Sequence, residues 1–197
     1  MTIEPHSNDA KITARLRAVG SALDSEYAGE LVRFINPAYS KSADIVDGAG
    51  ALHAAGRWNL KGAARLSYTA LTPQTALAEA LAHVQYYRLP VTLALPRVLV
   101  ALDLNVSRAM DLREGSVRQA LRISQATICQ LDWRVENQTG REAITQAWGR
   151  AFAAAGFEAV IVPSAADPSG ANVLVFPANL QAGSRFAVTS EVKWPAT

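Results

Sequence analysis

Two hydrophobic periodicities run along this chain, and the order in which they follow one another most restricts its fold. Ile12, Leu16, Val19 and Leu23 recur at helical spacing and predict an amphipathic helix over Lys11–Asp24. Leu31–Phe34 is a short apolar run, predicted as a strand. Over Ala64–Leu71 the residues Leu66, Tyr68 and Ala70 alternate with Arg65, Ser67 and Thr69, the period of a half-buried strand. Thr72-Pro73 then reads as the N-cap and first position of a helix reaching about Tyr87 and burying Leu77, Leu81 and Val84. Val91–Leu104 is strand-like but broken by Pro96, which predicts an edge strand or two short ones. Ser116–Gln130 and Arg141–Ala155 are predicted helices. The second carries Ile144, Trp148, Ala151 and Phe152 on one stripe, with Gly156 as its stop. Glu158–Val162 and Asn172–Phe176 are β-rich runs predicted to lie side by side, joined by the loop Pro163–Ala171. Strand-like and helix-like segments do not alternate strictly, so an α+β domain fits better than a doubly wound sheet.

With 197 residues, 50% of them hydrophobic, such a domain can bury about 70% of its unfolded surface without a disulfide or metal. The formal net charge of +2 is too balanced for nonspecific DNA binding as a main task. Lys occurs only at positions 11, 41, 61 and 193, so the basic residues are mostly Arg, a pattern that codon usage or phosphate binding would each produce. A single cysteine, Cys129, excludes a disulfide framework and a Cys-rich zinc site, and His6, His53 and His83 lack ligand-like spacing, so no metal is expected. Residues 1–10 read as frayed and lack the apolar core of a signal peptide, and no apolar run of about 18 residues exists. The expectation is a cytoplasmic protein without membrane contact.

Asn36 to Gly62 forms a long irregular stretch with Gly48, Gly50, Gly56 and Gly62 among small residues, the length of a functional loop. The dinucleotide-binding glycine fingerprint, the P-loop and the nucleophile elbow are all missing. What stands out is a constellation: Gly56-Arg57-Trp58-Asn59 ends the loop, Tyr68 follows on a strand, and Glu79 lies on the next helix, with His83 and Tyr86 on the same face. If that helix folds back on the strand, Arg57, Tyr68 and Glu79 line one cleft. Arg57 then grips an anion, the Tyr68 ring offers a stacking surface, and Glu79 orients a hydroxyl and stabilises positive charge. Those capacities suit cleavage of an N-glycosidic bond through an oxocarbenium-like transition state. Taken singly, each residue has a plainer role: Arg57 paired with a carboxylate, Tyr68 in the core, Glu79 solvated, and Ser164 bonding within its loop.

The same residues resemble the RES-domain family, named for an Arg, a Glu and a Ser. The similarity runs in order from about residue 30 to 180: Arg33; Gly50-Ala51; Gly56-Arg57-Trp58-Asn59; Gly62; Tyr68-Thr69-Ala70; Ala76-Leu77-Ala78-Glu79; His83; Asp132-Trp133-Arg134; Thr145-Gln146 with Gly149; Val162-Pro163-Ser164-Ala165; and Asn172-Val173-Leu174-Val175. Ala55 stands where the family often has a further glycine. The resemblance implies a single compact domain over residues 30–197, with a mixed or antiparallel sheet similar to the ADP-ribosyltransferase fold. Residues 1–29 form an extension whose helix packs on the domain or meets a partner. It implies the toxin of a bacterial toxin–antitoxin pair, with an Xre-like antitoxin as partner and NAD⁺ as substrate. The expected reaction is cleavage of the nicotinamide–ribose bond by hydrolysis or phosphorolysis. The alternative is mono-ADP-ribosylation of an acceptor protein. On this reading Glu79, Arg57 and Tyr68 are catalytic. Arg33, Arg57, Trp58, Asn59, Tyr68, Ser164 and Asn172 bind the dinucleotide, and no metal takes part. Two rivals remain: a non-enzymatic nucleotide-binding module, and nucleic-acid binding through Arg108, Arg113, Arg118 and Arg122, although Asp111 and Glu114 interrupt that group.

Overall fold

The computed structural model describes residues 2–39, 42–95 and 97–194. It is an α+β domain. Helix α1 (Asp9–Leu23) leads into strand β1 (Ser25–Ile35). The short helices α2 (Ser42–Val46) and α3 (Gly50–His53) follow, then β2 (Ser67–Ala70) and α4 (Pro73–Tyr86). After a 3₁₀ turn at Val91–Ala94 come β3 (Arg97–Asp111), α5 (Gly115–Leu121), α6 (Gln125–Gln130), α7 (Trp133–Gln138) and α8 (Ile144–Ala154). Strands β4 (Ala159–Pro163), β5 (Ala171–Val175) and β6 (Arg185–Trp194) complete the chain.

The six strands run in the order β1-β2-β5-β4-β3-β6, and β1 also pairs with β3, so five of them close on themselves. All pairings are antiparallel except β3 with β4. Inside the closed strands sit Leu31, Ile35, Val100, Leu102, Ile161, Val173 and Val175. Outside, α1, α5, α6 and α8 cover Leu66, Val160, Val162 and Leu174 with Trp148, Phe152 and Phe157. Alternation along each strand sends neighbours to opposite faces, so Tyr68 and Asn172 look outward while Ser67 and Val173 look inward.

Several expectations change in the structure. The stretch Asn36–Gly62 is not wholly irregular, because Ile45 and Ala51 anchor α2 and α3 to the two cores. Val91–Ala94 is a 3₁₀ turn rather than strand, and β3 begins at Arg97; the predicted break, Pro96, lies outside the described residues. The helix expected over Ser116–Gln130 is two helices, because Arg122 adopts a left-handed φ of 53° and ends α5. Asp132 caps α7, accepting from the amides of Arg134 and Val135, and Thr72 caps α4 by accepting from Thr75. The N-terminal segment is docked. Ile12 and Leu16 are buried in the outer core, Glu4 pairs with Arg141, and Arg150 bridges Asp9 to the buried Glu142.

Candidate active site

Glu79 lies on the second turn of α4, whose N-terminal half packs over β2 and β5 through Ala76 and Ala70. Its Oε1 accepts hydrogen bonds from Ser164 Oγ and Asn172 Nδ2, both at 2.6 Å. The Ser164 hydroxyl is aimed by its own surroundings: the amides of Ala166 and Asp167 donate to its oxygen at 3.1 and 3.0 Å. With those lone pairs taken, its single hydrogen goes to Glu79. Asp167 in turn fastens the loop to α4 by accepting from Thr75 Oγ1 at 2.7 Å. Among the described residues Glu79 Oε2 has no protein donor, although Glu79 is only partly exposed.

Arg57 approaches from the loop after α3. Its Nη1 donates to the carbonyls of Ile128 and Leu131, at 3.0 and 2.7 Å, which fixes it against the end of α6. Burial pulls the Arg57 guanidinium below its ordinary pKa; Glu79, Cys129 and Tyr68 oppose that pull and Arg134 adds to it. Tyr68 is the third corner. Its hydroxyl accepts from the amide of Trp58 and donates to Asn59 Oδ1, each at 2.9 Å. Burial raises its phenol well above the usual range. It is a neutral ring at any physiological pH.

Trp58 and Asn59 serve this loop rather than an open cleft. Trp58 is 2% exposed and packs in the outer core. Asn59 is 4% exposed, with Nδ2 bonded to the carbonyls of Ala51, Ala54 and Leu60. A Cβ at Gly56 would stand 2.7 Å from the Tyr68 hydroxyl, so the Tyr68–Asn59 bond requires glycine there. A Cβ at Gly149 would collide with the Trp58 carbonyl, which lets α8 press the loop into place. Gln146, one turn earlier on α8, donates to the carbonyls of Gly56 and Asn59.

Arg33 is not brought to this group. It sits on the inner face of β1 with Leu31 and Ile35, donates to Ile45 O and Ser67 Oγ, and is pulled by burial to about 10. Arg57, Tyr68, Glu79, Ser164 and Asn172 therefore meet, Trp58 and Asn59 support them, and Arg33 braces α2 from the other side. Gln146 and Gly149, which the sequence offered as family motif residues without a role, and Asp167, which it did not single out, are supports; they act through backbone carbonyls and a loop hydroxyl, so the residue pattern does not display what they do. An open pocket of about 270 Å³ behind the 163–171 loop is lined by Arg113, Arg118 and Ser169, among others, and none of the five converging residues lines it. Among the described residues no group of His, Cys, Asp and Glu is placed to hold a metal ion, and no helix is long and apolar enough to cross a membrane.

The sequence model described as the RES domain matches residues 30–196. No curated protein sequence matches the chain. Among solved structures, the M. tuberculosis MbcT–MbcA toxin–antitoxin complex contains a chain of similar fold. It has a TM-score of 0.73 and 21% identity, and the match covers 92% of this chain and 91% of that one.

Proposed function

The chain belongs to the RES-domain family, and from that premise we propose that it cleaves the nicotinamide–ribose bond of NAD⁺ as the toxin of a toxin–antitoxin pair. One observation carries the chemistry. Glu79 is held through Oε1 by Ser164 and Asn172, while among the described residues Oε2 has no protein donor and Arg57 lies nearby. A hydroxyl of the nicotinamide ribose donates to that second oxygen. The negative charge then faces the ribose as it becomes an oxocarbenium ion.

Glycosidic cleavage ordinarily needs two carboxyl groups, one of them to protonate the leaving oxygen. Here the leaving group is a pyridinium. When the C1′–N1 bond breaks, its electron pair neutralises the ring nitrogen, so nicotinamide departs without a proton and one carboxylate suffices. The Tyr68 ring, neutral and held through its hydroxyl, packs against the nicotinamide. Water or phosphate then adds to C1′. No metal is needed for either step.

The partner reading is an Xre-like antitoxin that covers the cleft. It is supported by the similarity of fold to a chain of a toxin–antitoxin complex. The test is nicotinamide release from NAD⁺ by the purified chain, with and without phosphate, beside Glu79→Gln. Release by the wild type alone supports the reading, and phosphate dependence identifies the acceptor. Transfer of labelled ADP-ribose to a protein in lysate, without free product, would make the chain a transferase instead. Equal release by Glu79→Gln would remove Glu79 from its role.

A further inference from the structure

Two turns beyond Glu79, about 10 Å along α4, Tyr86 reaches across to the start of α7. Its hydroxyl donates to Asp132 Oδ2 at 2.8 Å. The Arg134 guanidinium lies over the Tyr86 ring at 4.5 Å from its centroid and over the Trp133 ring at 4.4 Å. Two rings thus hold one flat cation. Among the described residues that guanidinium donates no hydrogen bond and joins no ion pair.

The contrast with Arg108 is informative. Arg108 also stacks on a ring, Phe157, but it donates to Asp24 and to the carbonyl of Ala155, so its fork is used by the fold. Arg57 likewise spends Nη1 on two carbonyls. Arg134 is fixed in its plane with its N–H edges unspent, an arrangement that matches the oxygens of a phosphate at small entropic cost. It also stands in the right place, because the Leu131 carbonyl that holds Arg57 lies three residues before it.

We propose that Arg134, caged by Tyr86 and Trp133, binds the diphosphate of the dinucleotide, so that the cleft selects a phosphorylated substrate over the bare nucleoside. This rests on the NAD⁺ reading for the position of the ribose at Glu79; the anion contact itself rests on the cage.

Calorimetry on the intact chain tests it with three probes: inorganic pyrophosphate, ADP-ribose and adenosine. Arg134→Gln should weaken pyrophosphate and ADP-ribose about tenfold to a hundredfold, the range for a lost charge-assisted hydrogen bond, and leave adenosine unchanged. Arg134→Lys keeps the charge without the planar fork and should fall between. It carries the test if Arg134→Gln fails to fold. Unchanged pyrophosphate affinity in the variants, or no pyrophosphate binding by the wild type, overturns the assignment. Pyrophosphate binding that depends on Arg134, in a chain that releases no nicotinamide, overturns the proposed reaction and upholds the anion contact.

Discussion

Glu79 and Glu158 are both carboxylates enclosed by hydrogen-bond donors, and they are built for opposite ends. Glu158 is fully buried. Its Oε1 accepts from the amide and hydroxyl of Ser107 and from the amide of Arg108, and its Oε2 accepts from the amide of Gln181. Both oxygens are consumed in stitching β3 to the segments around β4 and β6. Among the described residues Glu79 has one oxygen consumed and one spare, with a guanidinium nearby. A carboxylate with both acceptor oxygens taken serves the fold; one held by a single oxygen leaves the other open to a ligand.

The sharpest way to break that contrast is to exchange each acid for its amide. Glu79→Gln should cut nicotinamide release about a hundredfold to a thousandfold while denaturant melts stay within about 0.5 kcal/mol of wild type, since the amide oxygen still accepts from Ser164 and Asn172. Glu158→Gln should do the reverse. It turns an amide group toward donors and should cost about 3 kcal/mol, seen as a Tm lower by roughly 6–12 °C, with turnover per folded molecule retained.

Acid sharpens the same comparison. Burial alone would raise the Glu158 carboxyl, but hydrogen bonds from Ser184, Gln181, Ser107 and Arg108 outweigh it and hold the group below its ordinary 4.5. Its folded pKa is thus below its unfolded one, so its stabilisation is complete above about pH 4.5 and is lost as pH falls through the folded value. Below pH 4.5 the wild type should lose stability more steeply than Glu158→Gln in melts across pH. The smallest expected effect is Ser164→Ala. It removes one of two bonds to Glu79 and frees the amides of Ala166 and Asp167, and should lower turnover about tenfold with about 1 kcal/mol of stability lost.

Much of the fold was legible because its signals are local. The Thr72-Pro73 cap, the alternation in β2 and the stripe on α8 each state their own structure. Strand β6 was not foreseen: among the described residues it is an edge strand paired to β3 alone, with most of its residues exposed or half-buried, so alternation is weak. The break at Arg122 was invisible because an arginine, not a glycine, takes the left-handed φ. In the site, the meeting of Arg57, Tyr68 and Glu79 followed from a helix folding back on its strand. Arg33 illustrates the limit. One residue of strand parity decides between cleft and interior, and Val32↔Ala70, the pair that sets it, joins segments far apart in sequence.

The pairing of β2 with β5 also fixes when the site can exist. Glu79 lies 85 residues from Ser164 and 93 from Asn172. During synthesis the chain carries Arg57, Tyr68 and Glu79 out of the ribosome long before the strand that completes them. Until the segment from Ser164 through β5 has emerged, Glu79 lacks its donors and β2 lacks its main neighbour. Through most of translation the chain therefore lacks the assembled Glu79 group, which forms only as the last quarter of the chain folds back. Any partner that must meet the cleft early has only that final interval in which to arrive.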